Sequence, residues 1–175
     1  MPKSFQQKLK ILYLMRVFAE KTDEAHPMSV KDLIAYLENF GIHAERKTIY
    51  DDIETLRVFG MDIMNRRERP SGFYLASREF EVAELKLLVD AVQSSRFLTT
   101  GKSRQLIQKL ESLTSIYQAK DLQRQVIVQN RVKNTNENIY YNIDQIHRAI
   151  SQNRQISFQY TEWTVSKERQ LKKGG

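Results

Sequence analysis

The sequence predicts a mainly α-helical fold with one small β-hairpin near residue 70. Three observations lead to this prediction. Apolar residues recur at helical spacing in three segments of the first 60 residues, and the pattern becomes extended on both sides of a turn made by Pro70, Ser71 and Gly72. Hydrophobic residues also make up 41% of the 175 residues, which is enough to form a buried core.

The first helix is expected from Phe5 to Glu20, where apolar residues fall on one face at a period of 3.6. A loop is expected from Thr22 to Met28, because this stretch contains Pro27 and has no periodicity. Ser29 then has the position of a helix N-cap. Asp32, three residues later, has the position that completes a capping box, so a second helix should begin here.

The second helix should end close to Gly41, which supplies the permissive conformation that helix C-termini favour. A third helix is expected from Glu45 to Phe59, and Gly60 should close it. Its buried stripe should consist of the apolar residues at helical spacing, Ile49, Ile53 and Leu56. Two helices separated by about four residues match the geometry of a helix-turn-helix.

The period of the sequence changes after the third helix. Residues alternate loosely from Met61 to Arg67, a turn is expected from Glu68 to Gly72, and the stretch from Phe73 to Leu75 is again extended and apolar. This pattern predicts a β-hairpin. A hairpin directly after a helix-turn-helix predicts a wing, here residues 62–75.

The middle of the chain is predicted to be helical. Helices are expected from Val82 to Phe97 and from Lys102 to Leu113, with a break at Thr99, Thr100 and Gly101. The polar stretch from Ile116 to Asn138 contains an apolar run from Val126 to Val128. That run is too short to decide between helix and strand.

The C-terminal part predicts a helix from Asn142 to Asn153 and a half-buried strand from Gln155 to Tyr160. No pattern for a partner strand follows. We therefore expect partial disorder from Thr161 to Gly175.

The third helix is the expected reading element, because a helix-turn-helix places the N-terminal residues of its second helix against base edges in the major groove. Arginine and lysine can donate to guanine or phosphate, while threonine and tyrosine reach phosphate oxygens or a thymine methyl group. The candidate DNA contacts of the two helices are Ser29, Lys31, Arg46, Lys47, Thr48 and Tyr50. The alternative is a solvated amphipathic helix in a helical bundle.

The hairpin adds a cluster of three guanidinium groups, from Arg66, Arg67 and Arg69. Arginine is favoured in the minor groove and at flanking phosphates, so this cluster is typical of a DNA-binding wing. The alternative is a solvated, charged hairpin tip.

The segment Arg46-Lys47-Thr48-Ile49-Tyr50-Asp51-Asp52-Ile53-Glu54-Thr55-Leu56, followed by Phe59-Gly60-Met61-Asp62-Ile63, resembles the DeoR-type winged helix of WYL-domain transcriptional regulators. Gly72 to Leu75 resembles the end of that family's wing, and Val82 to Leu113 its following helical segment. Ile143 to Tyr160 resembles the helix and first strand that open the WYL domain. The resemblance implies a DNA-binding domain at 1–78, a helical linker or dimerisation segment at 79–138, and an incomplete α+β sensor domain at 139–175.

The chain departs from this family in two places. Its single tryptophan, Trp163, is not followed by Tyr-Leu, and the residues after the first sensor strand are few. We therefore expect a truncated fragment or a shortened relative that lacks the effector pocket, with the effector unknown. Asp51 stands where the family often has a basic residue, which is expected to weaken or change a phosphate contact.

Enzyme chemistry, cofactors and metals are not expected. The absence of cysteine excludes a disulfide framework, a thiol nucleophile and cysteine-ligated metals. His26, His43 and His147 lack ligand spacing, so a zinc site is not expected.

The adjacent Asp51 and Asp52 point in different directions on a helix, so they cannot act together as an acid–base pair. We expect Asp52 and Glu54 on the solvated face of the helix. Gly101-Lys102-Ser103 lacks the earlier glycine of a phosphate loop and is interpreted as a helix–helix turn.

The net charge of +7 favours polyanion partners, but residues 1–78 carry 13 basic and 11 acidic side chains and residues 79–175 carry 15 and 10. The case for duplex DNA therefore depends on local charge. We expect a cytoplasmic protein without a membrane span. Leu87, Leu88 and Phe97 either pack in the core or face a second copy, and because a helix-turn-helix regulator needs paired reading helices we expect a homodimer. The alternative function is a winged-helix RNA-binding or protein-interaction module that binds polyanions without sequence preference.

Overall fold

A computed structural model of the chain describes residues 3–125 and 138–172. The described part is mainly helical and contains two small antiparallel sheets of two strands each. Its elements, in chain order, are α1 (Lys3–Lys21), α2 (Val30–Glu38), α3 (Arg46–Phe59), β1 (Ile63–Arg66), β2 (Gly72–Leu75), α4 (Val82–Ser94), α5 (Thr100–Glu111), α6 (Ile116–Gln125), α7 (Asn138–Ser151), β3 (Thr161–Trp163) and β4 (Arg169–Leu171). None of these helices combines the length and the apolar character needed to cross a membrane.

The core of the N-terminal part lies between α1, α2, α3 and the β1–β2 hairpin. It is formed by apolar residues at the helical spacing that the sequence predicts. Ile49 and Ile53 are 0% and 1% exposed, so the buried stripe of α3 is confirmed. The fully buried side chains of the other two helices are Leu14, Val17, Phe18, Leu33 and Leu37. Burial of this stripe turns the opposite face of α3 outwards.

Local signals at the helix ends are also confirmed. Ser29 caps α2 by accepting a hydrogen bond from the Asp32 amide, and the Asp32 carboxylate accepts one from the Ser29 amide, as a capping box requires. Gly60 ends α3 with φ of +109°, a conformation that a side chain would strain.

The predicted hairpin is present, with Ile63 opposite Leu75 and Asn65 opposite Phe73. Its second strand is also held by Met28, which exchanges two backbone hydrogen bonds of 2.9 and 2.8 Å with Phe73. This close approach explains the glycine at residue 72. A Cβ atom there would overlap the backbone carbonyl of Met28, and its φ is +153°.

The helices α4, α5 and α6 pack on one another, and their buried apolar residues are Leu85, Val89, Ile107 and Leu122. The predicted break between two helices is confirmed at Thr99, which precedes α5, but it is wrong at Thr100 and Gly101, which lie in α5. Thr99 is the N-cap of α5, and its hydroxyl accepts a hydrogen bond from the Lys102 amide. Gly101-Lys102-Ser103 therefore forms the first turn of a helix rather than a helix–helix turn, since a capped N-terminus tolerates glycine. The non-helical segment between the two helices begins earlier than predicted, because α4 ends at Ser94.

In the polar stretch, α6 accounts for residues 116–125, and the apolar run from Val126 to Val128 lies outside the described residues. The helix α7 is present where one was predicted, although it begins earlier, at Asn138. The strand predicted from Gln155 to Tyr160 is wrong, because these residues are exposed and form no ladder. The strand pairing lies further on.

The expectation of partial disorder from Thr161 to Gly175 is wrong for residues 161–171, which form a hairpin, while residues 173–175 lie outside the described part. Thr161–Trp163 pairs with Arg169–Leu171, and the Lys172 amide donates to the Tyr160 carbonyl at 2.9 Å. The alternation from Gln155 to Tyr160 is typical of a strand, but these residues have no partner strand among the described residues. The observed pair, β3 and β4, is joined by a turn in which Lys167 has φ of +62°.

Candidate nucleic-acid interface

A groove of about 710 Å³ lies between α2, the N-terminal end of α3 and the β1–β2 hairpin. It is open to solvent along its length. Four basic residues and one acidic residue line it, so its local charge is more positive than that of the N-terminal part as a whole. The charged lining residues are Lys31, Glu38, Arg46, Arg66 and Arg67, and the remaining ones include Ser29, Tyr50, Asn65 and Ser71.

The first turns of α3 bring Arg46 and Tyr50 to the wall of this groove. The guanidinium of Arg46 donates to the Tyr50 hydroxyl at 3.2 Å and lies 5.9 Å from its ring centroid. The Tyr50 ring in turn packs edge-on against Phe73 of β2, with centroids 5.9 Å apart. Tyr50 therefore connects the exposed face of α3 to the hairpin, and its hydroxyl accepts a hydrogen bond from Arg46.

Lys47 is exposed beside Arg46, and neither residue has an acidic partner within 4.0 Å in the described part of the chain. The N-cap of α3 is Glu45, whose side chain makes no capping hydrogen bond. No side chain therefore caps the first amides of α3, and the helix dipole gives that end a partial positive charge.

Two of the predicted contact residues use their hydroxyl groups locally. The Thr48 hydroxyl donates to the Glu45 carbonyl at 2.8 Å. The Ser29 hydroxyl lies 2.6 Å from the Asp32 carboxylate within the capping box. Each can still accept a hydrogen bond, but donation to a phosphate oxygen would require that its present bond be broken. Lys31, on the exposed face of α2, has no such constraint.

The three arginines of the hairpin differ in their surroundings. Arg66 is half-buried and donates to the Glu24 carbonyl at 2.7 Å, so it is tied to the loop before α2. Arg67 is exposed and lines the groove. Arg69 is exposed in the turn and does not contribute to the groove lining.

Sequence reasoning missed Asn65, which lies on β1 and lines the groove opposite α2. Residues two apart on a strand share a face. The alternation therefore predicts that Asn65, and Arg67 just after the strand, lie on the same face of the hairpin as the buried Ile63. At the distal end of the hairpin this face leaves the core and meets the groove. An asparagine amide there can donate and accept hydrogen bonds.

The expectation that Asp52 lies on the solvated face of α3 is wrong. Its carboxylate lies 2.7 Å from the ammonium of Lys10 on α1, and the two side chains are 18% and 8% exposed. Lys10 is a lysine within an apolar helix pattern, and its partner is 42 residues away, so no local signal identifies the pair. The ion pair fixes α3 against α1 on the side away from the groove. Glu54 is exposed, as expected.

Within residues 3–125 and 138–172, no group of three or more histidine, aspartate or glutamate side chains could hold a metal ion. All three histidines are exposed, and His26 also stacks on Tyr117 of α6 with ring centroids 3.7 Å apart.

Comparisons of the chain with protein-family models, with curated proteins and with solved structures find no match.

Proposed function

We propose that this chain is a transcriptional regulator that binds duplex DNA, with α2 and α3 as a helix-turn-helix and the β1–β2 hairpin as a wing. The observation that carries the proposal is the basic groove between them. It brings Lys31 of α2, Arg46 of α3 and Arg67 of the hairpin to one open surface, although these residues come from three separate elements.

The dimensions of α3 support this assignment. A helix of 14 residues is about 21 Å long at 1.5 Å per residue, and the major groove is about 12 Å wide, so a helix can enter it with its N-terminal turns foremost. Arg46 and Lys47 would then reach base edges or phosphates. The uncapped amides at the same end favour a phosphate oxygen, because they are donors at the positive end of the helix dipole.

The hairpin would contact the flank of the same site. Arg67 in the groove and Arg69 at the tip present two guanidinium groups that suit the minor groove or adjacent phosphates. Asn65 adds a group that can distinguish bases. Specificity would therefore arise from α3 and Asn65, and much of the affinity from the basic side chains.

We also propose that the regulator acts as a homodimer in the cytoplasm, since paired recognition helices read half-sites one DNA turn apart. Leu87 of α4 and Phe97 after it are 71% and 63% exposed, and they could form the contact between copies. Sedimentation velocity of the Leu87→Glu variant is expected to show a monomer where the wild type shows a dimer. If both proteins sediment as dimers, Leu87 of α4 does not contribute to the contact between copies.

The function is tested by selection of duplex sequences from a random pool, followed by fluorescence anisotropy against non-specific competitor DNA. A sequence-specific regulator enriches a common sequence and retains it in the presence of competitor. A nonspecific polyanion binder enriches none and loses duplex DNA and RNA alike as salt rises. The second result would leave the alternative of an RNA-binding or protein-interaction module.

A further inference from the structure

The loop of residues 22–28 lies between the hairpin and α6, and it is fastened to the hairpin at both ends. At its C-terminal end, Met28 exchanges two backbone hydrogen bonds with Phe73. At its N-terminal end, the Thr22 hydroxyl accepts from the Leu75 amide at 3.0 Å and donates to the carbonyl of Phe18 at 2.8 Å. A displacement of this loop would therefore displace β2.

The middle of the loop holds the hairpin by a fourth hydrogen bond, from Arg66 to the Glu24 carbonyl at 2.7 Å. Arg66 is the last residue of β1 and lies next to Arg67 in the groove. The loop backbone therefore holds the guanidinium of Arg66 directly. It affects Arg67 through the peptide bond that joins the two residues.

The opposite side of the same loop contacts the N-terminus of α6. Ser115 is fully buried, and its hydroxyl donates to Asp23 Oδ2 at 2.5 Å. The Ser115 hydroxyl also accepts from the Gln118 amide at 3.2 Å, so one side chain both caps α6 and binds the loop. Two residues further on, the Tyr117 ring stacks on that of His26.

Asp23 joins the two sides because it is 4% exposed and uses both of its carboxylate oxygens. Oδ2 faces Ser115. Oδ1 accepts from Nδ1 of His26 at 2.7 Å and from the amides of Ala25 and His26 at 3.0 and 2.9 Å. Burial raises the pKa of Asp23, but the hydrogen bonds from Ser115 and His26 outweigh burial and leave the pKa below its ordinary value. The carboxylate is therefore charged at neutral pH and strongly favours this geometry.

We propose that Ser115 and Asp23 are positioning residues that make the place of the hairpin depend on the place of α6, so that a displacement of α6 changes how the hairpin cations meet DNA. The inference rests on the proposed DNA-binding function for its consequence, but the mechanical link itself can be measured without DNA. The helix α6 is the last element that the structure describes before residues 138–172.

The link is tested first by amide hydrogen exchange on the full chain. Ser115→Ala removes the donor to Asp23 and is expected to speed exchange at the Phe73 and Leu75 amides about tenfold, the equivalent of one lost hydrogen bond. Exchange at the Leu37 amide in α2 should not change. Asp23→Asn, which keeps the shape of the side chain, should give the same pattern and serves if Ser115→Ala does not fold.

The matched control is Thr99→Ala. Thr99 caps α5 as Ser115 caps α6, but its side-chain hydrogen bond is to the Lys102 amide of α5 and not to the loop. If Thr99→Ala speeds exchange at Phe73 and Leu75 as much as Ser115→Ala, or if Ser115→Ala leaves these amides unchanged, the proposed link is wrong.

The consequence for DNA is tested by a double-mutant cycle on the affinity for a selected duplex. Ser115→Ala is expected to weaken binding about fivefold in the wild-type background and less than about twofold when Arg66→Ala and Arg67→Ala are already present. In an Arg46→Ala background the fivefold effect should persist. If Ser115→Ala weakens binding equally in the wild type and in the variant that lacks Arg66 and Arg67, the role of the hairpin is overturned. A wild-type chain that binds no duplex would refute the proposed function, and the exchange pattern alone would then decide the link.

Discussion

The sharpest prediction concerns Arg46 and Lys47 at the start of α3. Both are exposed, Arg46 lines the groove, and the described residues place no acidic partner beside either. Replacing both with alanine should leave the fold unchanged, because the buried stripe of α3 consists of Ile49, Ile53 and Leu56. The affinity for duplex DNA should fall, because the start of α3 loses two cationic donors, of which Arg46 lines the groove.

The size of the loss follows from the contacts that the groove offers. If Arg46 reads a base, its removal costs about 1–3 kcal/mol, which lowers the affinity for a preferred site about 5- to 150-fold. If Lys31, Arg46, Lys47, Arg67 and Arg69 all meet phosphates, the slope of log K against log salt is about −4.5, and a variant lacking two of them should have a slope of about −2.7.

The assay is fluorescence anisotropy of a labelled duplex at several salt concentrations. The matched control is Arg104→Ala with Lys109→Ala, which removes one exposed arginine and one exposed lysine from α5, outside the groove. Both double variants change the net charge by the same amount. The reasoning is refuted if the two variants lose the same affinity and the same salt slope, because net charge rather than position would then govern binding.

Three further predictions follow from the same contacts. Asp51→Asn removes an exposed negative charge from the N-terminal half of α3, so duplex affinity measured by anisotropy should rise about two- to fivefold; a fall would show that the carboxylate contacts a base. Lys10→Met leaves the half-buried Asp52 carboxylate without its partner and should lower the free energy of unfolding in urea by about 3 kcal/mol, whereas adding Asp52→Leu should restore most of it; a loss below about 1 kcal/mol would contradict the importance of the pair. Because the folded-state pKa of Asp23 lies below its ordinary value of 3.8, the carboxylate stabilises the fold fully above that value and loses its contribution as pH falls through the folded pKa. The difference in urea stability between wild type and Asp23→Asn should therefore shrink as the pH falls below about pH 4; a difference that grows below that pH would reverse the sign of the argument.

Features encoded by neighbouring residues could be predicted from the sequence. Ser29 and Asp32 begin α2, Gly60 ends α3, and the turn before Gly72 makes the hairpin, each through bonds or backbone angles within a few residues. The inward face of α3 followed from the spacing of its apolar residues. The exposed positions of Arg46 and Lys47 followed from the same spacing.

Features that depend on distant partners could not be predicted. Asp52 was expected in solvent, but folding brings Lys10 to it across 42 residues. Arg66 was grouped with Arg67 and Arg69, but it binds a carbonyl in the loop before α2. Ser115 and Asp23, 92 residues apart, showed no signal at all, because neither residue type indicates a partner.

Local patterns also misled where two structures share one signal. Thr99 and Gly101 have the composition of a helix break, but a threonine N-cap followed by glycine in the first turn begins a helix equally well. The alternation from Gln155 to Tyr160 is that of a strand, but a strand requires a partner in register, and the pairing begins at Thr161.

The most direct test of the central claim is to titrate the ¹⁵N-labelled chain with a selected duplex and follow the backbone amides by NMR. If the groove between α2, α3 and the hairpin binds DNA, the largest shifts should fall on the residues from Glu45 to Asp51 and from Asn65 to Gly72, while the amides of α5 remain unchanged. Shifts concentrated on α4, α5 or the residues from 138 to 172, with α3 unaffected, would contradict the account and place the nucleic-acid surface elsewhere.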